Sequence, residues 1–217
     1  AGDAVTEAGA EGRGARGEES EADRAAEDRA LMAGVQGGDE AALGALMERW
    51  ELPVKGLIAR LVFNASEAEE LAQETFVRVW QQREKFRAGA EFRPWVFSIA
   101  VNLARNRLRW WRRRPLVSLE EWSGAENGGR RTVDGGQGPL GAEESPSADV
   151  ERAERAAAVR EAIAALPAEL REAIVLFEYE DMSHAEIGAA VGATPKAVET
   201  RIYRAREKLR ATLKRWV

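Results

Sequence analysis

The sequence predicts an all-α protein: two small helical domains joined by a flexible acidic linker. Three observations carry this. Apolar residues recur at three- and four-residue spacing through residues 28–113 and 151–215, with no strand-like alternation. Between those stretches, residues 115–150 hold seven glycines, three prolines and few apolar side chains, the composition of a linker. Near the C-terminus, Gly192 ends one short helical pattern and Pro195 opens a longer basic one.

The elements follow in order. Residues 1–27 are rich in Gly, Ala and Glu with one large aliphatic, Val5, and read as a disordered acidic extension. The first domain, 28–114, opens with Leu31, Met32 and Val35 at helical spacing and pauses at Gly37-Gly38. Asp39 is placed to cap a long helix carrying Leu43, Leu46, Met47, Trp50, Val54, Leu57, Ile58 and Leu61. Pro53 within it should kink or divide it. Ser66 with Glu69 reads as a capping box for a helix burying Ala68, Leu71, Ala72, Thr75, Phe76 and Val79. A basic loop, Arg83 to Glu91, precedes a helix over 93–113 that Pro115 ends. The linker, 115–150, would span ~120 Å fully stretched and average roughly 33 Å as a coil. That reach implies two domains held well apart on something large. In the second domain, 151–217, helices are expected at 150–165, 167–179, 184–191 and 195–215.

Composition excludes several chemistries. Cysteine is absent and His184 is the single histidine, so disulfides, thiol catalysis, iron–sulfur clusters and Cys/His zinc sites are ruled out. No cofactor is expected. No apolar run reaches the roughly eighteen residues of a membrane helix, and no secretory signal is visible, so the cytoplasm is the expected location. The net charge of −5 is unevenly spread. Residues 78–114 are strongly basic against only Glu84 and Glu91, and 195–217 against only Glu199 and Glu207. Two basic segments between acidic ones form the charge footprint of a nucleic-acid binder.

At the C-terminal end, Ser183 and Glu186 form a second capping box, and Ile187 and Val191 point inward. Gly192 closes that helix and Thr194-Pro195 starts the next. This is a helix-turn-helix pattern. On its second helix Val198, Ile202, Ala205, Leu209 and Leu213 form a core stripe. Lys196, Thr200, Tyr203 and Arg204, with Arg201 beside them, form the face that would enter a major groove. In the first domain Asn102, Arg105, Asn106, Arg109, Arg112 and Arg113 share one face of helix 93–113, opposite Val96, Ile99, Leu103 and Trp110. Asparagine mixed with arginine offers base-edge hydrogen bonds plus phosphate neutralisation. Phe86 and Phe92 flank the basic loop around Arg87, where aromatic rings would stack on unpaired bases. The helix after Ser66 has a polar outer face, Glu70, Gln73 and Glu74, with Trp80 as a candidate partner anchor.

The stretches SEAEELAQETFVRVWQQREKF, FRPWVFSIAVNLARNRL and LPAELREAIVLFEYEDMSHAEIGAAVGATPKAVETRIYRAREKLR resemble regions 2 and 4 of bacterial extracytoplasmic-function sigma factors, over about residues 28–114 and 152–213. The resemblance implies a non-enzymatic promoter-specificity subunit of RNA polymerase. Glu70, Gln73, Glu74 and Trp80 fall where the family docks on the β′ clamp coiled coil. Phe86, Arg87, Phe92, Asn102, Arg105, Asn106 and Arg109 fall where it melts and reads the −10 element. Lys196, Thr200, Arg201, Tyr203 and Arg204 fall on the helix that reads the −35 element. Core RNA polymerase, including its β flap, promoter DNA and an anti-sigma factor are the partners so implied. The chain departs from the family pattern in Asn106, where many members carry Asp, and in Pro53.

Two rival readings differ in class. A stand-alone helix-turn-helix regulator would need a dimer seam and a palindromic site, and no heptad seam is present. An enzyme would need more than Glu69, Glu70 and Glu74 on an amphipathic helix without a nucleophile or phosphate-binding loop.

Overall fold

The computed structural model describes residues 8–113 and 146–216, with side chains from residues 22 and 150 onwards in the two segments. The described residues are all helical apart from turns. Helices α1 (Ala8–Gln36), α2 (Glu40–Val62), α3 (Ala65–Gln81) and α4 (Phe92–Arg113) build the first domain. A 3-10 turn, Arg83–Lys85, sits between the last two. Helices α5 (Pro146–Ala164), α6 (Ala168–Glu178), α7 (His184–Val191) and α8 (Pro195–Thr212) build the second.

Helix α1 starts twenty residues before the expected Asp28, at Ala8. Nucleation is the costly step, and an anchored turn lets Ala- and Glu-rich sequence propagate. The anchor is Asp28, 2% exposed. Its carboxylate accepts from Arg49 Nη1 (2.7 Å) and Trp50 Nε1 (2.9 Å) of α2, and Glu27 accepts from Arg49 Nη2 (2.7 Å). Burial pushes the Asp28 carboxyl up, against the pull of those two donors.

Asp39 caps α2 as expected, accepting from the backbone N–H groups of Ala41 and Ala42. Pro53 does not divide that helix, which runs unbroken from 40 to 62. The packing of Leu46, Val54, Leu57, Ile58 and Leu61 holds it through the lost hydrogen bond. Each such burial stabilises by about 1.5–3 kcal/mol. The cap of α3 is Asn64, which accepts from Glu67 N, not Ser66. Glu69 is drawn away from a capping role into an ion pair with Lys55. The expected inner face of α3, from Ala68 to Val79, is buried throughout.

In the second domain the helix-turn-helix forms as read. Ser183 and Glu186 make both bonds of the capping box, and Gly192 closes α7 at φ 70°, the left-handed region where glycine is unstrained. Pro167 is the N-cap of α6 rather than its first residue. Of the expected α8 stripe, Val198, Ile202 and Ala205 are buried and Leu209 packs at the edge. His184 stacks on Phe177 with ring centroids 5.5 Å apart, a packing role.

The two domains touch. Helix α4 packs along α7, and α2 meets α6. Buried residues of both domains join in one apolar cluster, from Met32 to Ala205. The expected linker falls outside the described residues except Pro146–Val150, which belong to α5.

Candidate nucleic-acid interface

The reading face of α8 is positioned by its N-terminus. Thr194 Oγ1 accepts from Ala197 N and Pro195 supplies the fixed φ of a first turn. Lys196, Thr200, Tyr203 and Arg204 stand exposed along one side, Tyr203 at 66%. Thr200 Oγ1 donates to the carbonyl of Lys196 (3.0 Å). Lys196 pairs with Glu199 (2.7 Å), which holds the Glu199 carboxyl below the usual range. Arg201 differs from the others. It is half-buried and donates to Glu169 of α6 (2.9 Å), so it orients the two helices as much as it faces outward.

The face on α4 is more divided than its spacing suggests. Asn102, Asn106 and Arg109 are exposed. Arg105 is engaged: its Nε and Nη2 donate to Glu172 of α6 at 3.0 and 2.6 Å, a two-pronged pair across the domain junction. That bond raises the Arg105 guanidinium pKa, and the Glu172 side chain is only 6% exposed.

The structure buries the aromatic residues that flank the loop. Phe86 and Phe92 are 5% and 1% exposed. Phe86 packs edge-on against Trp95 and Phe92 meets the same ring at a tilt, while Phe92 also meets Trp50 at 6.0 Å. They form the wall beneath the loop, not free stacking surfaces. Core burial outweighs solvent exposure for a ring of this size. Arg87 remains exposed at the loop tip. Gln36 of α1 pins this loop, its Nε2 donating to the carbonyls of Arg83 and Phe86 (3.0 and 2.8 Å). A lone glutamine at a helix end carries no sequence signal for such a role.

A shallow groove of about 710 Å³ lies between α3 and α4. Glu70, Gln73, Glu74 and Val77 line one side, and Leu103, Asn106, Arg107 and Trp110 the other. Arg107 joins the helices by donating to Glu67 and Glu70, and that bond lowers the Glu70 carboxyl pKa. Trp80 does not line the groove. It is half-buried, with the Arg83 guanidinium 4.5 Å above its ring. Trp110, expected inside, is 47% exposed and lines the groove.

Two helical domains, one ending in a helix-turn-helix and both presenting exposed basic helix faces, define a DNA-binding class. The Sigma-70 region 2 family model matches residues 46–114, and the Sigma-70, region 4 model matches 156–209. The chain is 34% identical over 183 residues to the RNA polymerase sigma-H factor of Pseudomonas aeruginosa, covering 84% of this chain and 92% of that one. It is 33% identical over 182 residues to the ECF RNA polymerase sigma-E factor of Escherichia coli K12, with the same coverage. A solved structure of CnrH in complex with the cytosolic domain of CnrY superposes with a TM-score of 0.62 at 27% identity, covering 88% of this chain and 99% of that one. The chain belongs to the extracytoplasmic-function RNA polymerase sigma factors of the sigma-70 family.

Proposed function

We propose that this sigma factor acts in the cytoplasm without catalysis of its own, docks on core polymerase through the α3–α4 groove, and directs it to promoters with two elements. The α8 face, Lys196, Thr200, Tyr203 and Arg204, reads the upstream duplex element. The α4 face, Asn102, Arg105, Asn106 and Arg109, with Arg87 on the loop, receives the downstream element as it opens. The observation that carries this is the pairing of an exposed basic reading helix in each domain with one mixed groove beside the first. Glu70, Gln73 and Glu74 give the groove acidic and amide edges, while Val77 and Trp110 give it an apolar floor fitting a helical partner.

Opening a duplex costs a few kcal/mol for each flipped base. Asn102 and Asn106 supply hydrogen bonds to such bases, and the arginines neutralise phosphates. The wall of buried Phe86 and Phe92 with half-buried Trp95 keeps the loop in place while this happens. Run-off transcription with purified core polymerase on a genomic fragment library tests the reading. Defined transcripts that depend on both proteins are expected. Tight, polymerase-independent binding to a palindromic duplex would instead favour a stand-alone regulator.

A further inference from the structure

Resting on the assignment of the loop and the α4 face to the opened downstream element, we propose that Gln36 is a positioning residue for that step, and that helix α1 is the brace from which it works. Helix α1 holds both ends of the loop. At the near end, Gln36 Nε2 donates to the carbonyl of Arg83 (3.0 Å) and to that of Phe86 (2.8 Å), residues 47 and 50 positions further along the chain. At the far end, the Phe92 ring meets Trp50 edge-on at 6.0 Å, and Trp50 Nε1 donates to Asp28 of α1 (2.9 Å). Arg49 ties α1 down beside it, through Asp28 and Glu27.

Between those ends, Arg87, Ala88, Gly89 and Glu91 are exposed. One backbone bond, from the Ala90 N–H to the Arg87 carbonyl (3.0 Å), and Gly89 at φ 80° shape the turn. Where the turn points is therefore set by its ends. The Phe86 carbonyl that Gln36 grips belongs to the planar peptide unit leading into Arg87. Fixing that carbonyl fixes the direction in which the chain leaves the aromatic wall. Burial of Phe86 and Phe92 anchors the loop without giving it a direction, since the hydrophobic effect is non-directional. The two bonds from Gln36 supply the direction. A site built on a loop works only when its groups are kept within roughly 0.5 Å of the productive geometry by supporting hydrogen bonds. Gln36 itself is exposed, next to the fully buried Val35 and one turn beyond Met32. Its amide can thus be removed without opening the core.

Gln36→Met keeps the length of the side chain and removes both donors. The variant should bind core polymerase, and its holoenzyme the duplex promoter, as the unmodified factor does. Affinity of that holoenzyme for the single strand of the downstream element, taken from a promoter recovered in run-off transcription, should fall. The loss should reach up to about a hundredfold, the scale of an about 1 Å misplacement of a working group. Permanganate reactivity at that element should fall in parallel. A pre-melted bubble template should not restore the binding, because capture of the strand rather than its separation is impaired. Ile58→Val, a fully buried change about two turns beyond Trp50 on α2, is the stability control. It should lower the unfolding temperature at least as much as Gln36→Met and leave single-strand binding unchanged. Equal loss of single-strand binding in both variants would reduce Gln36 to a structural residue and overturn the proposal. So would unchanged binding in Gln36→Met while Asn102→Ala and Arg87→Ala lose it. If those two also bind normally, the downstream-face assignment itself fails, and the proposal with it.

Discussion

Lys196 is exposed on the first turn of α8 and Arg204 in its third, along the side where side chains reach base edges or phosphates. Arg204→Ala or Lys196→Ala should weaken holoenzyme binding to the upstream duplex by ~1–3 kcal/mol if the contact is a bidentate base contact. An electrophoretic titration against upstream-element variants measures this. Opening of a pre-melted template should be unaffected. Asn102→Ala should do the reverse: duplex binding survives because phosphate electrostatics carry it, while permanganate reactivity at the downstream element is lost. In the groove, Gln73→Ala with Trp110→Ala should cost ~2 kcal/mol or more in affinity for core polymerase, by fluorescence titration. Trp80→Ala should cost less affinity and more stability, because that ring is packed under Arg83. Sequence spacing alone could not rank these two tryptophans. Both sit on faces that periodicity leaves ambiguous, and neighbouring helix ends decide which is covered.

At the scale of elements, the turn between α7 and α8 depends on two glycines for different reasons. Gly192 takes a left-handed φ, and its place after an apolar pattern makes that legible in sequence. Gly188 is inside α7 at ordinary helical geometry, and a Cβ there would stand 2.6 Å from the carbonyl oxygen of Ala193. Only the folded turn reveals the need for hydrogen at that position. Gly188→Ala should destabilise the second domain by about 1–3 kcal/mol, read by thermal unfolding, through backbone displacement. Gly192→Ala should cost about 1 kcal/mol. The caps divide similarly: the Ser183–Glu186 box forms as its spacing implies, whereas Lys55 captures Glu69 and Asn64 takes over the cap of α3.

For the whole molecule, the domain junction couples stability to pH. Burial lifts the Glu180 carboxyl from its ordinary 4.5 to about 7, against the pull of Arg60 and Arg93, with the neighbouring Asp181 adding to the rise. A raised carboxyl binds its proton more tightly in the folded state than in the unfolded one. Its contribution to stability therefore falls as pH rises from about 4.5 to about 7, then levels off. The full span corresponds to about 3 kcal/mol at most. Urea unfolding across that range should show the decline. Glu180→Gln should flatten it, and the variant should be more stable than the unmodified factor at pH 8.

Helix type, helix order, the helix-turn-helix and the charge of both reading faces follow from the sequence by itself. Each rests on local rules: periodicity of apolar residues, capping chemistry and the positions of Gly and Pro. The tertiary structure alone decided the rest. It buried Phe86 and Phe92, exposed Trp110, extended α1 back to Ala8 and placed Arg105 against Glu172, sixty-seven residues away. Those outcomes depend on which helix faces meet and where helices end, and a one-dimensional pattern cannot encode contact between residues so distant in the chain.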